Sequence, residues 1–110
     1  MVNTRSKGNK QELRAQKELE KTGWRVQRCG YRLFQQNDFF GLFDILAIKP
    51  MTTKLVQVKS NRKPPIEEIK KILEFGNKYK QFQVEIWCWF DRKGWKQYAA
   101  VNGKLFELAN

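Results

Sequence analysis

The chain reads as an α/β domain in which a central mixed β-sheet is flanked by helices, and three observations carry that reading. Helical periodicity occurs twice, over about residues 9–22 and 66–79, while the stretches between and after alternate apolar and polar residues with the period of a strand. The resulting order is helix, three strands, helix, two strands and a short terminal element, an order that folds as one sheet covered by helices. At 110 residues there is room for a single core, so we expect one domain over 9–110 preceded by a flexible basic tail at 1–8.

The first helix is expected to end at Gly23, the residue type favoured just past a helix C-terminus. Its sparse apolar positions are Leu13, Ala15 and Leu19, and Glu12 joins Ala15 and Leu19 at i, i+3 and i+7. That places a carboxylate on the edge of the inward face, although a solvated surface role fits Glu12 equally well. Glu18 and Glu20 alternate with lysines and read as a solvated helix surface.

Residues 24–29 form a strand with Trp24, Val26 and Arg28 on one face and Arg25, Gln27 and Cys29 on the other. A long connection follows at 30–41, with Arg32 and Asp38 its charged members. Its aromatics, Tyr31, Phe34, Phe39 and Phe40, suit either stacking on bases or folding back on the core.

The stretch 43–60 reads as a hairpin around a longer-than-minimal Pro-Met-Thr-Thr turn. Asp44, Leu46 and Ile48 share one face of its first strand, and Leu55, Gln57 and Lys59 one face of its second. Pairing that sets Asp44 opposite either Gln57 or Lys59 gathers a carboxylate, an amide and an ammonium on one side. A slip of one residue would separate them. Charged groups within strands this apolar are usually paired or functional.

The second helix carries Ile66, Ile69 and Leu73 as its inner stripe, broadened by Ile72 and Phe75. In the β-prone run 82–90, Val84, Ile86, Cys88 and Phe90 share one face and Glu85, Trp87 and Trp89 the other, so this strand is expected to be covered on both sides. A turn at 91–94 and a strand at 95–101 follow, and Asn102-Gly103 marks a second turn.

Composition limits the chemistry. Lys plus Arg number 22 against 11 Asp plus Glu, a formal charge of +11, which is the footprint of a polyanion binder. An anionic membrane surface is the competing partner, but no apolar run approaches the ~20 residues needed to span a bilayer, so we expect a soluble intracellular (cytoplasmic) protein. There is no histidine and there are only two cysteines, Cys29 and Cys88, which disfavours a structural zinc site, histidine general-base catalysis and a Ser-His-Asp triad. Catalysis, if present, would use carboxylates, lysine and a hard metal ion.

Gln11-Glu12-Leu13 in the first helix, Gly23-Trp24 with Val26 and Arg28, Phe43-Asp44-Ile45-Leu46-Ala47, and Leu55-Val56-Gln57-Val58-Lys59 together resemble the PD-(D/E)xK nuclease superfamily. The likeness is greatest to its archaeal Holliday junction resolvase-like branch and related phage and viral nucleases. It implies a restriction-endonuclease-like core and a Mg²⁺-dependent DNA endonuclease, with Mn²⁺ as a substitute, acting on Holliday junctions or other branched DNA. It implies Glu12, Asp44, Gln57 and Lys59 as catalytic residues, with Asp44, Gln57, the Val58 backbone carbonyl and Glu12 as metal ligands. Gln57 departs from the usual Glu or Asp, and 30–42 holds none of the serines that resolvases often carry there. The expected DNA contacts are Lys7, Lys10, Arg14, Arg32, Arg62 and Lys63, and a homodimer is implied both by the branch and by a Trp87–Trp89 face that a short chain has little area to cover. The rival functions are a non-catalytic nucleic-acid-binding module of the same fold and a site-specific restriction or homing-type endonuclease.

Overall fold

The computed structural model describes residues 4–28 and 38–109, with side chains from residue 10 onward. Within them the order is α1 (Thr4–Lys21), β1 (Arg25–Arg28), β2 (Ile45–Lys49), β3 (Thr52–Ser60), α2 (Ile66–Lys78), β4 (Phe82–Phe90), β5 (Gly94–Val101) and β6 (Lys104–Glu107). The six strands form one sheet in the order β1-β2-β3-β4-β5-β6. Only β3 and β4 run parallel, joined by α2 as a crossover; every other neighbour pair is antiparallel. The mixed α/β sheet is therefore the one the sequence predicts.

The helix begins at Thr4 rather than at residue 9, so residues 4–8 of the expected tail are helical. Gly8 and Asn9 are poor helix formers, but extending a helix already nucleated adds a hydrogen bond for each residue fixed. At the other end the Trp24 N–H reaches back to the Leu19 carbonyl at 3.2 Å, with Gly23 at φ 93, the left-handed closure that glycine permits.

Alternation along the strands divides the core between two faces. Ala15 and Leu19 of α1 pack with Ile45, Ala47, Val56 and Trp87 on one face. On the other, Ile72 of α2 packs with Phe43, Leu55, Val84, Ile86, Cys88 and Tyr98. Each fully buried aliphatic side chain contributes about 1.5–3 kcal/mol.

Several expectations need correction here. Trp87 is only 4% exposed and packs with Ala15 and Leu19 of α1 and against Trp95, with Trp89 edge-on to Trp95 in turn, so these tryptophans are not an open face. The argument for a dimer drawn from them fails because α1 covers that side of β4. Ile66 is exposed rather than inward, and Gln11 is buried in line with Ala15 and Leu19 at i, i+4 and i+8. The hairpin turn is shorter than expected, since Thr52 already pairs with Lys49 and leaves Pro50 and Met51 as the loop. Met51 reaches φ 67 there while its side chain stands in solvent. No helix is long and apolar enough to cross a membrane among the described residues.

Candidate active site

The register of the β2–β3 hairpin brings the expected residues together. The regular pairing ends at Ile45 with Val56, and Asp44 lies just beyond it, held by Val56 and Val58, the residues on either side of Gln57. The Asp44 N–H donates to the Val56 carbonyl at 2.9 Å, and the Val58 N–H donates to Asp44 Oδ2 at 2.8 Å. The carboxylate is thereby fixed against the backbone of β3. Lys59 lies two residues beyond Gln57 on the same face, half-buried. The end of β3 is tied down as well: Asn61 exchanges hydrogen bonds with Asp91, 2.9 Å to its N–H and 3.1 Å between side chains.

Glu12 comes to this end of the sheet from α1. Burial, followed by the charge of Asp44, pushes its carboxyl up to about 7, with Asp38 adding to the shift and Arg28 opposing it. Asp44 is raised to about 6, chiefly by burial; Asp38 and Glu68 add to the shift, and the Val58 N–H and Lys59 oppose it. Two acids that resist ionisation side by side would be relieved by a cation between them.

Gln57 is 3% exposed, and its Nε2 donates to the Leu42 carbonyl at 3.1 Å and also to Glu68 Oε1. Its Oε1 is buried with no hydrogen-bond partner among the described residues. The other oxygen of Glu68 faces the Lys59 ammonium at 3.5 Å. Glu68 is the member of the cluster that sequence reasoning missed. It stands at the third position of α2, where a glutamate ordinarily reaches back to the N–H of the capping residue. Here that residue is Pro65, which makes no side-chain cap and has no N–H to offer, and Glu68 turns into the site instead. The Pro-Pro-Ile-Glu-Glu run was the available signal.

Among the described residues no three His, Cys, Asp or Glu side chains are grouped to hold a metal ion. The oxygen donors at this end of the sheet are the coupled Glu12 and Asp44 carboxyls and the buried Gln57 amide oxygen, a donor type that suits a hard divalent cation retaining waters.

The expected DNA contacts are less uniform. Lys10, Arg62 and Lys63 are exposed, with the Lys63 ammonium 4.8 Å above the Tyr98 ring. Arg14 instead stacks its guanidinium 3.8 Å above Trp89. The Lys7 side chain and Arg32 lie outside the described residues, as do Tyr31 and Phe34. Phe39 packs against the core, and Phe40, though 64% exposed, lays its ring 5.2 Å from Phe75.

Neither a family model nor a curated protein matches the sequence. Among solved structures, Hjc from Archaeoglobus fulgidus, a Holliday junction resolvase from an archaeal hyperthermophile, superposes with a TM-score of 0.62 and 20% identity, over 94% of this chain and 84% of that one. The chain shares the fold of that structure, a restriction-endonuclease-like α/β fold as the sequence predicts. Within this fold Gln57 and Lys59 share one face of β3, Asp44 is held just before β2 by Val56 and Val58, Glu12 comes from α1 and Glu68 from α2.

Proposed function

We propose that the protein is a divalent-metal-dependent DNA endonuclease that hydrolyses phosphodiester bonds at branched DNA, with Mg²⁺ as the ion and Mn²⁺ as its substitute. The observation that carries this reading is the pair of carboxyls, Glu12 and Asp44, held above their ordinary range at the end of an apolar sheet beside Gln57 and Lys59. The likeness to a Holliday junction resolvase supports the substrate class, and the charge of +11 supports binding to a polyanion.

Asp44, Glu12, the Gln57 amide oxygen and the Val58 carbonyl would hold the ion. When bound, it lowers the pKa of water and neutralises charge on the phosphoryl oxygens. Asp44, anchored through Oδ2 to the Val58 N–H, keeps its other oxygen at a fixed place. Lys59, steadied by Glu68, can orient the attacking water or stabilise charge building on the phosphate. A single domain over 9–110, now with its helix starting earlier, and an intracellular setting of phage or viral type belong to the same reading. So does a homodimer, because cutting opposed strands of a junction calls for two sites.

The test is incubation with four-way junction, flap, linear duplex and single-stranded DNA, in Mg²⁺ or EDTA. Cleavage of the branched substrates in Mg²⁺ alone is expected. Tight binding without cleavage under every condition would favour the non-catalytic module, and cleavage of one duplex sequence only would favour the site-specific enzyme.

A further inference from the structure

The side-chain amide of Gln57 has one orientation that chemistry allows. Its nitrogen faces two groups, the Leu42 carbonyl and Glu68 Oε1, that can only accept hydrogen bonds. Turning the amide over would set its oxygen against both acceptors and leave two buried repulsions in place of two bonds. The consequence falls on Oε1, which is buried and without a hydrogen-bond partner among the described residues, on the residue between the Val56 carbonyl and the Val58 N–H that hold Asp44.

We propose that Glu68 is a positioning residue: its Oε1, with the Leu42 carbonyl, locks the Gln57 amide so that the amide oxygen is presented to a divalent cation, while its Oε2 holds Lys59. One carboxylate thus does at second hand what a carboxylate at position 57 would do directly. A neutral amide is usable as a ligand here because a charged neighbour decides which of its two ends faces the ion. The absence of an N–H at Pro65 is what leaves Glu68 unclaimed by its own helix. The inference rests on the metal-dependent reading above, and it adds a residue with a distinct task to it.

The experiment measures Mn²⁺ binding to the DNA-free protein by electron paramagnetic resonance, so that cleavage is not the only readout. Wild type and Asp44→Asn come first. Binding that depends on Asp44 sustains the metal site, whereas no Asp44-dependent binding would remove the metal reading and this inference with it. Given that site, Glu68→Gln keeps an acceptor for the Gln57 amide, whereas Glu68→Met keeps the bulk and removes the acceptor. Mn²⁺ affinity is expected to stay within about threefold of wild type in Glu68→Gln and to fall about tenfold or more in Glu68→Met, the range seen when the partner of a metal ligand is lost. Equal losses in the two variants would mean that Glu68 acts by its charge or as a direct ligand, and unchanged affinity in both would mean that it does not orient Gln57; either result overturns the proposal while leaving the metal site intact. A second comparison uses metal-free stability. Gln57→Glu alone sets two carboxylates in contact, while Gln57→Glu combined with Glu68→Gln restores an amide-to-carboxylate bond with the partners exchanged. The double variant is expected to be the more stable of the two in EDTA and to bind Mn²⁺ more tightly than wild type. A double variant no more stable than the single one would show that residues 57 and 68 do not pair.

Discussion

Two glutamate–lysine pairs are built on β3, five residues apart on opposite faces, and they are finished differently. On the α1 side Lys54 meets Glu85 at 3.1 Å, Trp87 Nε1 donates to the second oxygen of Glu85 at 2.8 Å, and the Lys54 ammonium lies 4.6 Å above the Trp24 ring. Both carboxylate oxygens of Glu85 are used. On the α2 side Lys59 meets Glu68 at 3.5 Å, but the Gln57 oxygen beside them has no partner, and Asp44 and Glu12 hold protons more tightly than ordinary acids. The first cluster is a completed buried ion pair. The second keeps, among the described residues, an amide oxygen without a partner and two carboxyls raised above their ordinary range, and on the proposed function that difference separates a structural charge from a working one.

Substitutions at the two clusters should therefore fail in different currencies. Asp44→Asn is expected to lower cleavage by at least ~10³-fold, equivalent to ~4 kcal/mol on the barrier, while DNA binding holds or tightens because a negative charge is removed. Single-turnover rates beside a binding titration check it, and cleavage undiminished in the variant would take Asp44 out of the site.

Glu85→Leu should do the reverse. It leaves the Lys54 ammonium, 12% exposed, without its counter-ion and the Trp87 N–H without an acceptor, so a loss of about 3 kcal/mol in unfolding free energy is expected. Lys54→Met added to it should recover most of that loss, since a buried pair replaced on both sides is often neutral. Urea unfolding of the three variants measures this, and the folded single variant should cleave at the wild-type rate. A cleavage defect without a stability defect would merge the two clusters into one site.

How legible each cluster was follows from the range of the contacts that make it. Asp44, Gln57 and Lys59 could be placed together from sequence because the period of two fixes faces and a hairpin fixes register. In the structure the ladder stops at Ile45, and Asp44 is held beside Gln57 by the Val56 carbonyl and the Val58 N–H rather than by a regular pairing with Gln57 or Lys59. Glu85 could be put on the Trp87 face by the same parity. Its partner could not, because Lys54 reaches it across the parallel β3–β4 junction, whose register depends on how α2 packs. Glu68 was hidden for a similar reason. From sequence it is one of two acids in the first turn of a helix, a place that favours acids in any case. Only the docking of α2 on the sheet turns it toward Gln57. The length of the hairpin loop was misread because Thr52 and Thr53, plausible turn residues, are also β-branched and extend the ladder.

The pH dependence of stability sharpens the same comparison. In EDTA the folded chain keeps protons on Glu12 up to about 7 and on Asp44 up to about 6, whereas the unfolded chain releases them near the ordinary carboxylate range. Between about pH 4.5 and 7 the folded state thus binds more protons than the unfolded state, and stability falls as pH rises. Urea midpoints taken in EDTA across that window should decline, Glu12→Gln should flatten the upper part of the decline, and saturating Mn²⁺ should oppose it by replacing the protons. A wild-type midpoint that rises through this window in EDTA would mean that the two acids are not held as described.

The smallest expected effect lies where the two regions meet. Arg14 stacks 3.8 Å above Trp89, Trp89 packs edge-on to Trp95 at 5.3 Å, and Trp95 to Trp87 at 5.4 Å, which brings an aromatic chain from the α1 surface near Glu12 to the Glu85 pair. A guanidinium stacked on a ring keeps its edge N–H groups available, so Arg14 can pack on Trp89 and still contact a phosphate. Removing the stack with Arg14→Met should cost about 0.5–1 kcal/mol of stability, and this should add to the Glu85→Leu loss, because Arg14 acts on Trp89 while Glu85 acts on Lys54 and Trp87. Removing the phosphate contact should lower the slope of log affinity against log salt by about 0.9. Arg14→Lys separates the two roles: an ammonium cannot stack as a plane but can reach a phosphate, so it should show the stability loss without the change in slope. If Arg14→Met and Arg14→Lys both leave the slope at the wild-type value, Arg14 belongs with the structural cluster and not with the DNA-binding surface.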